Sequence, residues 1–280
     1  MSGDDFRPRC LRLRIRRPVF QVEIKGGEQV DLRTYKLDLH IHTVLSPCTD
    51  IAEMTPRAIV RAALDKGLDM IAICDHNSAR NTAAVGRAAK STPLTVIPGM
   101  EVTSSEEVHI VGLFPTDEAA QSLQEEVYAR LPGLNDEEAF GYQAVVDEED
   151  MVEDLDQRLL IGATTLDSHK VVSIIHRLGG LAVAAHIDRQ SFGIFSQLGF
   201  IPDDLELDAL EISRRTDYET ARAKYAQCRG YSLIRSSDAH SLEDVGTVWS
   251  TAGMAAPTFG ELRKALTGEQ GRAIIEALTI

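Results

Sequence analysis

Histidines and acids close several apolar segments of this sequence, where side chains of successive strands can meet. His40 and His42 end the segment KLDLHIH, and Cys48 follows six residues after the second histidine. Because strand side chains alternate, both rings of a His-x-His pair point to the same side. Asp238 and His240 repeat this spacing in SSDAH. Two such pairs can hold a cation from opposite directions, so we predict a metal site.

Further nitrogen and oxygen donors stand at the ends of the other apolar segments. They are Asp75, His76, Glu101, His109 and His186. Six of the eight histidines occupy such positions, and burying so many imidazoles and carboxylates without a cation is strongly unfavourable. Divalent ions in a shared pocket would remove that cost. The other two histidines, His169 and His176, lie on the polar side of a predicted helix, and we assign them no role.

Apolar strands and amphipathic helices alternate from residue 35 onwards, which predicts a mainly parallel sheet covered by helices. For 280 residues we expect a closed or nearly closed βα barrel, with an open doubly wound sheet as the alternative. The carboxyl ends of barrel strands converge on one face. That convergence would bring the candidate ligands into one pocket.

Two segments fall outside this alternation. Residues 1–34 predict an N-terminal β appendage, with LRLRIR at 11–16 as one strand and VFQVEI meeting a hairpin turn at Gly26-Gly27. We interpret the arginines of the first strand as a solvated edge rather than a phosphate site. Within the domain 35–280, an acidic, mostly helical insertion spans about 117–160, with AAQSLQEEVYARL and DEEDMVEDLDQRLL both expected to be helical. It is interpreted either as a lid over the pocket or as an exposed decoration.

The composition argues against several classes of protein. Of the formal net charge of -14, residues 117–156 contribute fourteen acidic side chains against Arg130 alone. An acidic exterior argues against duplex nucleic acid as a partner and leaves a small phosphorylated substrate. The chain has no window of about 18 apolar residues, so we expect no membrane partner. The polar start and the scattered cysteines Cys10, Cys48, Cys74 and Cys228 predict a cytoplasmic protein with free thiols.

Six motifs resemble, in order and context, those of the polymerase and histidinol phosphatase (PHP) superfamily of metal-dependent phosphoesterases. They are DLHIHT, ICDHN, IPGMEV, VHIVGL, AAHIDR and SSDAH followed by EDVG. The resemblance covers residues 36–113 and 167–270 and is strongest to the branch that hydrolyses small phosphoesters such as nucleotides. It implies an α/β fold, a distorted (β/α)7 barrel that holds two or three divalent ions.

The resemblance also implies how the ligands divide among the ions. A first ion would bind His40, His42, Glu101 and Asp238; a second would bind His76 and His240; a third would bind His109 and His186, with Glu101 as a bridge to the first. Cys48 stands where relatives often have a histidine, and Asp50 is an alternative ligand just beyond it. A thiolate would favour zinc or iron over magnesium, so we expect zinc, manganese or iron, unless Cys48 makes no metal contact. Asn77 replaces an acidic residue that many relatives carry.

These features predict hydrolysis of a small phosphoester, preferably a nucleotide phosphomonoester, by a hydroxide that bridges two metal ions. Arg189 matches an arginine of phosphate-hydrolysing relatives and is the first candidate for binding the substrate phosphate, followed by Arg214 and Arg215. Asp75 would protonate the leaving group or support a ligand. The alternatives are a metal-dependent amidohydrolase, a cyclic phosphodiesterase, and a non-catalytic metal-binding regulatory module.

Overall fold

A computed structural model describes residues 19–23, 29–50 and 53–276. Its strands are β1 Val19–Glu23, β2 Gln29–Ile41, β3 Met70–Ile73, β4 Thr95–Thr103, β5 His109–Leu113, β6 Ala144–Val146, β7 Val152–Leu155, β8 Leu181–Ala184, β9 Ala209–Ile212, β10 Ser232–Arg235, β11 Ser250–Met254 and β12 Ala273–Ile275. Its α-helices are α1 Pro56–Asp65, α2 Thr82–Ala89, α3 Asp117–Tyr128, α4 Glu137–Phe140, α5 Ser168–Arg177, α6 Ile194–Gln197, α7 Tyr218–Lys224 and α8 Phe259–Thr267.

Within the described part of the chain, seven strands form a ring. The strands β2, β3, β4, β5, β8, β9 and β10 are hydrogen-bonded in this order. A parallel bridge between Ile41 and Ala239 returns the segment after β10 to the end of β2, and the His42 amide donates to the Ala239 carbonyl at 3.0 Å. The predicted distorted (β/α)7 barrel is confirmed, with this seam nearly closing the sheet.

Strand β5 runs opposite to its neighbours, which the apolar pattern did not reveal. It is antiparallel to both β4 and β8, whereas β2, β3 and β4 are parallel to one another, as are β8, β9 and β10. His109 begins β5, so the reversal places this residue at the rim where the other barrel strands end. The candidate ligands therefore share one rim although His109 lies at the start of its strand and the others lie at or after the ends of theirs.

The barrel strands alternate between the barrel interior and the helix layer. In β3, Met70 and Ala72 point into the interior core, while Ile71 and Ile73 point outwards and pack with Ile59 of α1. Each fully buried side chain of this size stabilises the fold by roughly 1.5–3 kcal/mol. The dense packing on both faces holds the strands firmly and so fixes the positions of the residues at the rim.

The N-terminal strands extend the barrel sheet. Strand β1 pairs antiparallel with the first part of β2, from Val19 opposite Arg33 to Glu23 opposite Gln29, and β2 then continues through residue 34 into the barrel. Strands β11 and β12 complete this extension. The predicted strand at residues 11–16 and the turn at Gly26-Gly27 lie outside the described residues.

The acidic insertion contains α3 and α4 but also a β-hairpin. Strand β7 lies in the stretch DEEDMVEDLDQRLL, where a helix was expected, and it pairs antiparallel with β6 just before that stretch. The hairpin turn contacts α1 and α2: the Arg57 amide donates to Asp150 at 3.0 Å, and Arg87 Nε donates to the Glu148 carboxylate at 2.6 Å. The insertion therefore packs on the barrel helices and is more than an exposed decoration.

The cysteines Cys48, Cys74 and Cys228 are free thiols as predicted, and Cys10 lies outside the described residues. In the ranges that the structure describes, no helix combines the length and the apolar composition needed to cross a lipid bilayer.

Candidate metal centre

The predicted metal ligands gather at one rim of the barrel. They are His40 and His42 at the end of β2, Cys48 in the following loop, His76 after β3, Glu101 in β4, His109 in β5, His186 after β8, and Asp238 and His240 after β10. All except His240 and Cys48 are buried. Residues from seven separate parts of the chain thus form one cluster.

Three of the four donors predicted for a first ion, His40, His42 and Asp238, are compact enough to share one ion. His42 Nε2 is 3.2 Å from His40 Nε2 and 3.1 Å from Asp238 Oδ1, and His40 Nε2 is 3.4 Å from Glu101 Oε1. Ligands about 2.1 Å from a tetrahedral ion are themselves about 3.4 Å apart. The spacing of His40, His42 and Asp238 therefore suits a single shared ion, and Glu101 lies beside them.

Glu101 lies at the middle of the cluster. Its Oε1 is 2.7 Å from His109 Nδ1 and 3.1 Å from His186 Nε2, and its Oε2 is 2.9 Å from His76 Nδ1. A carboxylate with two oxygens facing different imidazoles can bridge two ions. This geometry agrees with the predicted bridging position of Glu101 and also brings His76 to it.

A close approach of two strands and unusual φ angles position these side chains. A Cβ on Gly99 would lie 2.8 Å from Cys74 Sγ, so only glycine allows β4 to approach β3 this closely two residues before Glu101. His186 and Asp238 adopt positive φ angles of 27° and 50°, which non-glycine residues rarely do. The chain turns sharply at the strand ends and directs both donors into the cluster.

Buried polar atoms without hydrogen bonds indicate that the residues fit metal ions. Among the described residues these include His76 Nδ1, Glu101 Oε2 and His186 Nδ1. His76 Nδ1 and Glu101 Oε2 are close, as stated above, but are not aligned for a hydrogen bond. Buried unsatisfied groups are costly, and coordination to a shared cation would satisfy them.

Three groups of donors are each compact enough to hold an ion. They are His40, His42 and Asp238; His42, His76 and His240; and His76, Glu101 and His109. The first group lies within the set predicted for the first ion. The second adds His42 to the predicted pair of His76 and His240. The shared members show that the sites adjoin one another.

Protonation balances charge in this buried cluster. Burial raises the pKa of Glu101, but the imidazoles of His109, His40 and His76 outweigh it and hold that pKa well below its ordinary range. Burial opposes the protonation of His40, yet the carboxylates of Glu211 and Glu101 hold its pKa well above the ordinary value. Burial lowers the pKa of His109 to about 4. Protonated imidazoles therefore supply part of the positive charge that the carboxylates need.

Cys48 lies beside the pair predicted for a second ion. The residue is exposed, and its thiol hydrogen-bonds with His240 and His76. Desolvation raises the pKa of this thiol, but the two imidazoles outweigh it and lower the pKa to about 6. Such a thiol is largely thiolate at neutral pH, which is the form that binds metal. The alternative ligand, Asp50, is exposed in the same loop.

Asp75 is engaged by the loop after β2. Its carboxylate accepts hydrogen bonds from the Thr43 amide, the Thr43 hydroxyl and the Ser46 hydroxyl, each at 2.7 Å. Ser46 Oγ is also 3.0 Å from His42 Nδ1. Burial raises the pKa of Asp75. These contacts connect Asp75 to His42 through Ser46 and favour a supporting role over proton transfer.

Glu211 and Phe192 belong to the site but were not predicted. The Glu211 oxygens lie 3.1 and 3.2 Å from His40 Nδ1, and the ring of Phe192 stacks on His109 with centroids 4.4 Å apart. The strand ALEIS contained a signal for Glu211, because alternation places it on the same side as the interior residue Ala209. Phe192 lies within the loop between β8 and α6, whose path the sequence pattern does not predict.

The predicted substrate-binding arginines lie on neighbouring loops. Arg189 contacts Asp238, with its Nη2 at 2.5 Å from Oδ2, so it adjoins the cluster directly. Arg214 pairs with Asp244 and Arg215 is exposed. Asp188 accepts two hydrogen bonds from Ser213 at 2.7 Å and thereby joins the two loops. His169 and His176 pair with Asp204 and Asp208 outside the cluster.

Asn77 holds the returning segment of the insertion. Its amide group donates to the carbonyls of Leu160 and Gly162, both at 2.8 Å, and its oxygen accepts from the Thr103 amide at 3.1 Å. An acidic residue at this position could not donate to the two carbonyls. Asparagine in place of the acidic residue that relatives carry therefore has a structural role next to the candidate ligand His76.

Solved structures share this fold. The lesion-specific endonuclease EndoQ of Pyrococcus furiosus has a TM-score of 0.66 at 20% identity, over 86% of this chain and 57% of that chain. A Bifidobacterium adolescentis protein described as a metal-dependent phosphoesterase has a TM-score of 0.53 at 18% identity, over 83% of this chain and 96% of that chain. At such identities the similarity shows the fold, in agreement with the barrel.

A complex of EndoQ corrects one expectation. Its structure contains a 27-mer duplex with an abasic lesion at the active site, and it matches this chain with a TM-score of 0.62 at 20% identity, over 86% of this chain and 58% of that chain. Our exclusion of duplex nucleic acid is therefore wrong. Net charge was a poor guide because the negative charge is concentrated in residues 117–156, where Glu148, for example, is paired with Arg87.

Sequence relatives match in part. The 5′-3′ exoribonuclease of Haemophilus influenzae is 32% identical over 83 residues, which are 29% of this chain and 29% of that protein. The Bacillus subtilis protein YqxK is 23% identical over 268 residues, covering 85% of this chain and 63% of its own length. The chain thus spans less than two thirds of either relative.

The sequence profile of the PHP domain matches residues 38–200. This range contains the strands that supply His40, His42, His76, Glu101, His109 and His186, and it agrees with the resemblance inferred from the motifs. The match covers more than half of the 280 residues. The chain therefore belongs to the PHP domain family.

Proposed function

We propose that the protein is a metal-dependent hydrolase that acts on a phosphoester of a nucleotide, either free or within a nucleic acid strand. The observation that supports this most directly is the buried cluster around Glu101. Its donors lie about as far apart as the ligands of shared ions, and several of its atoms have no hydrogen bond. Family membership points to the same chemistry.

We assign two or three zinc, manganese or iron ions to the predicted ligands, with Cys48 included beside His76 and His240. Such ions supply an activated water and bind phosphoryl oxygens when they are present. Hydrogen bonds within the protein already orient two of the imidazoles for metal binding. Because the Ser46 hydroxyl donates to Asp75, it must accept from His42 Nδ1, which leaves the Nε2 lone pair directed at the cluster. Glu211 does the same for His40.

Arg189 is the candidate that binds the substrate phosphate. Its guanidinium lies against Asp238 and its side chain is 39% exposed, so it connects the cluster to solvent. The planar fork of arginine suits two phosphate oxygens. Arg214 and Arg215 lie on the adjoining loop, where they would bind a further phosphate of a longer substrate. We assign Asp75 the support of the loop 43–46.

A nucleotide-containing substrate is favoured by the named relatives. One is an exoribonuclease and another is an endonuclease whose complex holds duplex DNA. The insertion borders one side of the cluster at Asn77, and the arginine loops border another. A substrate that extends from the metal centre along the arginine loops fits this arrangement.

The test is a substrate panel with protein reconstituted in manganese, zinc, iron or magnesium. It contains adenosine monophosphate, a cyclic nucleotide, a dinucleotide, a 5′-phosphorylated oligonucleotide, a duplex with an abasic site, and a simple amide. We expect metal-dependent turnover of at least one nucleotide phosphoester and a loss of about hundredfold or more in Asp238→Asn. Turnover of the amide alone supports the amidohydrolase alternative. Metal binding without any turnover supports the regulatory module.

A further inference from the structure

A continuous chain of buried hydrogen bonds joins the acidic insertion to the metal centre. It begins at Asn81, whose amide group donates to the Ala144 carbonyl at 3.0 Å and to the Thr43 hydroxyl at 2.9 Å. The Asn81 oxygen accepts from the Val146 amide at 3.0 Å. Asn81 thus uses its whole side chain to connect strand β6 of the insertion to the loop after β2.

This series of hydrogen bonds continues from Asn81 to two candidate ligands, His42 and His76. The Thr43 hydroxyl donates to Asp75, and because it has a single proton it must accept from Asn81. The Ser46 hydroxyl also donates to Asp75, so it accepts from His42 Nδ1 at 3.0 Å and from the His76 amide at 3.2 Å. Each donor direction is determined by its neighbour.

Apolar packing reinforces the same connection. Leu45, between Thr43 and Ser46, lies in a small buried cluster with three insertion residues, Leu131, Val145 and Leu160. The Ala144 amide also donates to the Val44 carbonyl at 3.1 Å. The loop that orients His42 is therefore held from one side by the insertion, through both polar and apolar contacts.

We propose that the acidic insertion is a structural part of the metal centre and that Asn81 is a positioning residue that couples the two. Metal binding orders the loop 43–46 and, through Asn81, stabilises the hairpin of β6 and β7. By linkage, an ordered hairpin favours metal binding by the same factor, so loss of the Asn81 contacts weakens metal binding. The inference rests on the metal centre of the proposed function but not on its reaction.

Hydrogen exchange of the full chain with and without Mn²⁺ tests the coupling. In the wild type, Mn²⁺ slows exchange of the amides at 144–146 and 160–162 by about tenfold or more, in line with the usual effect of groups that support metal ligands. In Asn81→Ala, this protection is lost at 144–146. Asn135→Ala is the matched control, because Asn135 donates to the Gly141 carbonyl within the insertion, and it retains the protection.

Metal titration gives the reciprocal measurement. Asn81→Ala and Asn81→Asp bind Mn²⁺ about tenfold or more weakly than the wild type, since neither can donate to the Thr43 hydroxyl, whereas Asn135→Ala binds within twofold. Equal affinity in the Asn81 and Asn135 variants overturns the proposal, and so does a wild type whose insertion shows no Mn²⁺-dependent protection. The wild-type exchange experiment tests the coupling between the metal and the insertion even if both Asn81 variants fail to fold. Protection without phosphoester turnover refutes only the proposed reaction.

Discussion

Glu211 provides a sharp test of how the protein orients its candidate metal ligands. This residue of β9 is 1% exposed, both of its oxygens approach His40 Nδ1, and Oε1 accepts the His186 amide at 3.2 Å. The carboxylate thus holds the His40 proton on Nδ1 and directs Nε2 towards Glu101 and Asp238. Replacing it by glutamine retains the shape and one acceptor but removes the charge.

The expected magnitude follows from these contacts. Carboxylates that support metal-bound histidines typically contribute about tenfold to hundredfold in metal affinity, or about 1.4–2.8 kcal/mol. Glu211→Gln keeps an oxygen that can accept from His40, so we expect the lower end, about tenfold weaker Mn²⁺ binding. Glu211→Ala leaves the His40 and His186 donors without an acceptor, and we expect the upper end.

The pH dependence separates this role from general destabilisation. Glu211 also raises the pKa of His40, so in the wild type a proton competes with the metal for that ring as the pH falls. Removing the charge weakens the binding of both the metal and the competing proton to His40. The deficit of Glu211→Gln should therefore be largest at high pH and should narrow as the pH falls, because protons then compete more strongly with the metal in the wild type.

Isothermal titration with Mn²⁺ at several pH values measures this effect. The exposed Glu219 of α7 supplies the control Glu219→Gln, which should bind like the wild type. The reasoning is refuted if Glu211→Gln binds Mn²⁺ within twofold of the wild type at the higher pH. A deficit that is equal at every pH would also refute it, because the charge of Glu211 would then have no part in the effect.

Three further predictions concern other parts of the chain. Asp208 raises the pKa of the partly exposed His176 by hydrogen bonding, so their pair adds less than about 1 kcal/mol that is complete below the ordinary histidine pKa and lost as the pH rises through the raised folded value. Urea unfolding of metal-free His176→Gln should therefore differ from the wild type only at lower pH, and a difference that persists at high pH contradicts this. Cys48→Ser should lower the preference for zinc over magnesium by about tenfold or more in competition experiments, and an unchanged ratio would place the thiol outside the coordination shell. Asn77→Asp should destabilise the protein by about 2–4 kcal/mol in thermal unfolding because it loses both donors to the insertion, and wild-type stability would show that these bonds contribute little.

The position of the donors could be predicted because strand geometry determines it. Side chains alternate along a strand, and strands of a βα barrel end on one rim, so His40 and His42 had to meet donors such as His186 once the fold class was known. The direction of β5 was not readable in the same way, since an apolar segment has the same pattern in either direction. His109 reached the rim only because β5 is reversed.

The insertion shows where local sequence is a poor guide. The acidic stretch 147–160 has a single β-branched residue and so favours a helix or a loop, yet it contains β7, which forms a hairpin with β6. Its stability comes from tertiary contacts, including Asn81 with the backbone of Ala144 and Val146. These partners lie more than sixty residues apart in sequence, so no local pattern contains them.

The backbone of the site gives independent support for a function that demands fixed geometry. Asn77, His186, Phe192 and Asp238 all adopt positive φ angles, and each such conformation costs a non-glycine residue roughly 1–3 kcal/mol. Glycine would remove the strain at every one of these positions. Two of the side chains are candidate ligands, one contacts a ligand, and one anchors the insertion, so the strain is kept where a side chain is needed in a particular direction. Four of the seven non-glycine residues with positive φ in the described part of the chain lie at this cluster, a concentration that selection for stability alone does not explain.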